Sequence, residues 1–193
     1  MILAEAIAIG LVLSLLTGGS IRLLAREPLK GEAALLLLLP LQLLWPRIAA
    51  QVGLPCALST IVWLFLMASL AVVLFLNVSR RWMLALAGLG IAMNVLVIGI
   101  NSAMPVSIRA TSEIGVPRAE ARAVLAADCL HEEMTEDTRL ALLGDFIAVS
   151  GPQWQRGVIS AGDILLAIGL AAWVFAASRG HEQSDRTHAW RPA

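Results

Sequence analysis

The chain has 193 residues, 59% of them hydrophobic and 15% charged, with a formal net charge of +0. A soluble domain is usually about 45–50% apolar, so this excess, with a mean hydropathy of +0.81, points to a membrane. The neutral balance offers no basic patch and excludes nucleic acid as a partner.

Five stretches contain no Asp, Glu, Lys or Arg: 6–18, 33–45, 55–77, 82–100 and 164–178. A bilayer core about 30 Å thick takes roughly 20 mostly apolar residues as helix. The third and fourth stretches reach that length outright. The others reach it with flanking residues that snorkel. The pattern predicts an all-α integral membrane bundle of five transmembrane helices, near 2–19, 32–50, 55–77, 82–102 and 159–178. One membrane domain covers 1–178, interrupted by an insertion over 103–157 and followed by a polar tail, 179–193, expected to be disordered.

The first helix ends at Gly18 and Gly19, which suit a left-handed helix terminus. "SIRLLARE" then alternates bases with leucines, as a segment lying on the inner surface does. The second helix is interrupted by Pro40 and Gln42 and is the weakest of the five. "PRIAAQVGLP" and "NVSRRW" are short links, so the helices that they join are antiparallel neighbours. In the fourth helix Gly88, Gly90, Ala92 and Gly99 permit close packing in lipid, which makes it central. Within the insertion, Pro117 opens a helix whose apolar face is read as Val116, Ala119, Ala123, Val124, Ala127 and Leu130. "TEDTRLALLGDFIAV" carries an apolar run too short to span. It is expected to dip into the interface or to cap the bundle. Trp45, Trp82 and Trp154 fall at element ends, where indoles favour the headgroup level.

Basic short loops stay cytoplasmic. Arg22, Arg26, Lys30, Arg80, Arg81, Arg179, Arg186 and Arg191 fall on one side of a five-span chain. The insertion holds five bases and eight acids, a net of −3. The expected orientation is N-terminus out and C-terminus in, in a bacterial cytoplasmic membrane.

Few polar residues interrupt the apolar runs. Ser160 and Asp163 in "SAGD" fit a helix cap, with Asp163 at the amide-rich end. Asn94 and Asn101 are seven apart, nearly one helix face, with Asn94 about 10 Å deeper. An amide at that depth faces protein or water. Interhelical hydrogen bonding, about 0.6 kcal/mol on average, is the plain account of both asparagines. A binding reading gathers Asn94, Asn101, Asp163, Asp145 and Gln42 into a polar pocket near the outer face, although a turn or cap is the default for Asp145. His131 in "CLHEEM" lacks the second histidine of a zinc motif. No metal or cofactor is expected, and His181 and His188 lie in the tail. Cys56 and Cys129 both fall outside, where a bridge would tie the insertion to the bundle. Their separation is not legible from spacing, and two free buried thiols are the favoured state. No nucleophile elbow, phosphate loop or CxxC stands behind an enzyme.

Several segments carry a family resemblance: "GGSIRLL", "LPLQLL", "NVLVIGINSAMPVS", "LLGDFI" and "SAGDILLAIG". With Asn94, Asn101 and the Met104-Pro105-Val106 exit, they resemble an uncharacterised bacterial set of small polytopic membrane proteins, domain of unknown function 5317, over about residues 9–175. That family often has glycines where this chain has Ser102 and Ala103. The resemblance implies a five-helix membrane protein and a recurring polar pattern, and it supplies no activity. Three functions are weighed. The leading one is a structural or accessory membrane subunit, assembling with itself or with a larger membrane complex. The others are a small-solute or lipid-binding protein using the polar pocket, and an envelope or lipid-processing membrane enzyme.

Overall fold

A computed structural model describes residues 2–79, 81–152 and 155–179. Arg80, Trp154 and the tail beyond Arg179, with His181 and His188, lie outside the described residues. Of the described residues, 66% are helical. Among the described residues three helices are long and apolar enough to cross a membrane: α3 (Glu32–Val52), α4 (Cys56–Leu76) and α5 (Met83–Asn101). α1 (Ile2–Leu16) and α8 (Ala161–Ala177) are apolar but shorter. A short α2 (Ile21–Leu24), capped by the Ser20 hydroxyl, follows α1.

α1 stops where the glycines predict. Gly18 lies at φ +90°. The Gly18 amide donates to Leu15 O at 3.3 Å and the Gly19 amide to Ser14 O at 2.8 Å. That is the two-bond closure of a left-handed terminus. Gly53 closes α3 in the same way, at φ +69°. α3 runs unbroken through Pro40 and Pro46, although each proline removes a backbone donor. It packs chiefly on α4, where the Trp45 indole donates to Ser59 O at 2.9 Å.

α8 is the spine of the bundle, packed on α5 along one side and on α1 along the other. It runs antiparallel to α5: Asn94 meets Asp163, Gly90 meets Gly162, and Ala87 meets Gly169. These small residues let the two backbones touch. A Cβ at Gly162 would overlap Asn94 Oδ1 and stand 2.6 Å from the Gly90 carbonyl oxygen. α1 runs parallel to α8, with Gly10 against Ala171 and Gly19 near Ser178. α5 is central, as its glycines suggest, but not all of them serve α8. Gly88 faces the Phe75 ring, and Gly99 faces open space.

The α1–α3 and α4–α5 links gather at one end of the bundle. There Glu27 accepts from Arg81 Nε at 2.7 Å and Nη2 at 3.0 Å. Asn77, 1% exposed, accepts from the Lys30 amide at 2.7 Å and donates to Lys30 O at 2.9 Å. The insertion covers the opposite end as a cap. β1 (Met104–Val106) pairs in parallel with β2 (His131–Glu133), Met104 opposite His131. On its other edge Val106 bridges to Asp145. α6 (Ile108–Glu113) and α7 (Arg118–Ala127) follow β1. A 3-10 turn at Ala141–Leu143 then packs on α5 and α8. β3 (Ile147–Val149) and β4 (Gly157–Ile159) form an antiparallel hairpin that delivers the chain to α8.

The amphipathic reading of α7 is corrected. Ala119, Ala123 and Ala127 are exposed and Val124 is 60% exposed; of the expected face only Leu130, which is buried, and Val116, which is half-buried, are covered, and within α7 the buried residue is Ala121. α7 lies at the rim of the cap, against α6 and β2. Only a narrow row is covered there, and Arg122 reaches over the rim to Glu133 at 2.9 Å.

Candidate functional site

The polar residues singled out in the sequence fall into separate arrangements. The first is a closed ring at the start of α8. Ser160 is the N-cap: its hydroxyl accepts from the Asp163 amide at 3.0 Å, and Asp163 Oδ2 accepts from the Ser160 amide at 3.1 Å. This is a reciprocal capping box, formed with Asp in the place usually taken by Glu or Gln. Asn94 completes it from α5. Its Nδ2 donates to Asp163 Oδ1 at 2.9 Å, and its Oδ1 accepts from the Ser160 hydroxyl at 3.0 Å. Asn94 is 5% exposed and Ser160 is fully buried. Asp163 is thus both the helix cap and the partner of the deep asparagine.

Asn101 takes another role. Its side chain donates to Arg139 O at 2.8 Å and accepts from the Arg139 amide at 3.0 Å. It mimics a β pairing and pins the cap to the end of α5. Gln42 sits half-buried on α3, and no hydrogen bond among the described residues joins it to the ring. Of the five residues assigned to one pocket, Asn94 and Asp163 come together, while Asn101 and Gln42 stand apart.

Asp145 forms the second arrangement, above the ring. Its amide donates to Pro105 O and its carbonyl accepts from the Ser107 amide, both at 2.8 Å. The residue is 8% exposed, and its Oδ1 is buried without a hydrogen-bond partner among the described residues. Burial pushes the carboxyl up to about 7, with the Asp163 charge adding to the rise and His131 opposing it. His131, across β1, has its Nδ1 2.8 Å from Asp128 Oδ2. Burial works against its charged form. The Asp128 bond and the charges of Asp128, Asp145 and Asp163 outweigh that, and the imidazole sits above its usual range. The same bond holds Asp128 below the usual carboxylate range. No group of three or more His, Cys, Asp or Glu among the described residues is placed to hold a metal ion.

Cys56 at the start of α4 and Cys129 in the cap are joined by a disulfide, with Cα atoms 4.9 Å apart. The favoured pair of free thiols is therefore corrected. Beside the bridge Thr60, one turn along α4, donates its hydroxyl to Cys129 O at 3.0 Å, a contact that sequence spacing does not reveal. Two further residues escaped the sequence reading. Asn77 joins the links at the far end, and its position at a helix end beside two arginines was the available signal. Glu5, an acid in the first turn of an otherwise apolar helix, has a buried Oε1 with no partner among the described residues.

These features define a helical bundle with three membrane-length helices and a disulfide-tied cap. The chain belongs to DUF5317, a family of unknown function whose model matches residues 28–175. The match begins after "GGSIRLL" and takes in the other four segments of the resemblance. No curated protein and no solved structure matches the chain.

Proposed function

We propose that this chain is a five-span integral membrane protein of a bacterial cytoplasmic membrane, N-terminus out and C-terminus in, acting as a structural or accessory subunit. The helix directions support five crossings, since α1, α4 and α8 run one way and α3 and α5 the other. At 1.5 Å per residue, α1 and α8 fall short of 30 Å, and polar flanks at the headgroups make up the difference. Arg22, Arg26, Lys30, Arg81 and Arg179 belong to the linked end and the acidic cap to the other, which agrees with basic loops staying inside.

The observation that carries the accessory reading is the closed ring of Asn94, Ser160 and Asp163. The deep amide and the α8 carboxylate spend their hydrogen bonds on each other, so this ring offers a solute no free polar group. Mild-detergent purification with mass spectrometry tests the role. A stoichiometric protein partner, or a defined homo-oligomer, supports it; a lone monomer overturns it. Reporter fusions at the N-terminus and Ser20, and at Asp137 and the C-terminus, test the topology, and the two members of either pair reporting the same side overturns the five-span reading.

A second reading, a small-solute site under the cap, is favoured by one observation: the buried, unpartnered oxygen of Asp145. Solute-dependent thermal stabilisation that disappears in Asp145→Asn would support it over the accessory role.

A further inference from the structure

The parallel pair α1 and α8 is in backbone contact at one level and open at another. At Gly10 a side chain would collide with the Ala171 backbone. Toward their first turns the helices part, leaving a cleft of about 320 Å³ lined by Glu5, Ala6, Ile9, Ile164, Ala167 and Ala171 among others. That volume falls within the roughly 300–1,000 Å³ of small-ligand pockets. Its walls are aliphatic except for Glu5, and no lysine or arginine lines it.

Glu5 Oε1 is buried there without a hydrogen-bond partner among the described residues. A buried carboxylate oxygen with no donor is unfavourable, and the first-turn amides of α1 offset only part of that. Glu5 near the start of α1 and Ile164 near the start of α8 put the cleft toward the cap end, which is the outer headgroup side in the five-span orientation. Chemistry that completes this cleft has a cationic, hydrogen-bond-donating head beside Glu5 and an apolar chain running toward Gly10.

We propose that the α1–α8 cleft binds a phospholipid with a primary-ammonium headgroup, its ammonium paired with Glu5 and an acyl chain lying along Ile9, Ala167 and Ala171. The proposal rests on the membrane-spanning reading above. An ammonium brings three donors, enough to satisfy both carboxylate oxygens. A trimethylammonium head brings charge without donors, and a glycerol head brings donors without positive charge. Hydrogen bonds to charged groups contribute enough to shift binding about ten- to a hundredfold.

The test titrates the detergent-purified chain with phosphatidylethanolamine, phosphatidylcholine and phosphatidylglycerol of matched acyl chains, read by native mass spectrometry. The expected result is at least tenfold stronger retention of phosphatidylethanolamine than of either other lipid. Glu5→Gln reduces that to the level of phosphatidylglycerol, and Glu5→Lys reverses the order in favour of phosphatidylglycerol. Equal retention of the three lipids by the unaltered chain overturns the proposal, as does a preference that survives in folded Glu5→Gln. Where a variant does not fold, the ranking on the unaltered chain decides. Failure of the membrane reading is distinguishable, because the chain would then leave membranes in an alkaline wash without detergent.

Discussion

Replacing Asp145 with Asn isolates the energetic consequence of a buried carboxyl. The group is 8% exposed and is pushed from 3.8 to about 7. One pKa unit corresponds to 1.36 kcal/mol, so the shift is worth about 4 kcal/mol, taken as an upper figure. Its sign follows from which state holds the proton. Between pH 3.8 and about 7 the folded chain keeps a proton that the unfolded chain has released. The neutral carboxyl therefore imposes no charge penalty below pH 4. Stability falls as pH rises through the window, and the whole penalty is present above pH 7. Asparagine never charges, so Asp145→Asn should match the native chain near pH 4 and exceed it by up to about 4 kcal/mol at pH 8. The assay is unfolding in detergent micelles at a series of pH values, reported as the difference between the two proteins. His131→Gln supplies the control. Its charge lowers the Asp145 value, so removing it should move the window upward. A difference between Asp145→Asn and the native chain that is flat from pH 4 to pH 8 would refute the reasoning.

Three further outcomes follow from the packing. Cys129→Ser opens a covalent loop of sequence separation 73 and should reduce stability by about 4 kcal/mol on the chain-entropy estimate; reduction of the native chain should produce the same loss of melting temperature, and Cys129→Ser should show no further change. Gly162→Ala forces a methyl against Asn94 and the Gly90 carbonyl and should destabilise by about 1–3 kcal/mol or more; Gly99→Ala, facing open space, is the matched control and should not destabilise. Ser102 holds φ +72°, a conformation unfavourable by about 1–2 kcal/mol for an L side chain. Ser102→Gly should therefore stabilise by about 1 kcal/mol after glycine's own entropy is counted, read as a rise in melting temperature.

The sequence was most legible where a single physical constraint dominates. Uncharged runs of membrane length located α4 and α5, and a shorter run located α3, because burial of a whole segment leaves no room for charge. Ser160 and Asp163 announced a cap because the first turn of any helix needs acceptors. Partner choice was less visible. Nothing in the seven-residue spacing of Asn94 and Asn101 distinguishes an amide bonded to α8 from one clamping Arg139. That distinction depends on where the cap folds back. Gln42 was grouped with them on polarity alone, and α3 lies on the far side of α4. The α7 face was misread because alanines interleaved with Arg118, Glu120 and Arg122 fit several helical faces equally, and the neighbour that selects one lies outside the helix.

The way the cap is fastened explains why Asp145 should be read through stability. The cap is held to three helices by bonds of different kinds: the Cys56–Cys129 disulfide and the Thr60 hydroxyl to α4, the Asn101–Arg139 pairing to α5, and the β3–β4 hairpin leading into α8. A cap fixed at a single point could swing aside when Asp145 loses its proton and so let the carboxylate reach water. With three attachments on separate helices, that relief requires breaking at least one of them. The backbone bonds of Asp145 to Pro105 and Ser107 remove the remaining local freedom. Ionisation is therefore opposed by the fold itself, and its energy must appear in the unfolding equilibrium. Cutting the disulfide should then weaken the pH dependence of the Asp145→Asn difference, because a loosened cap lets water reach the charge.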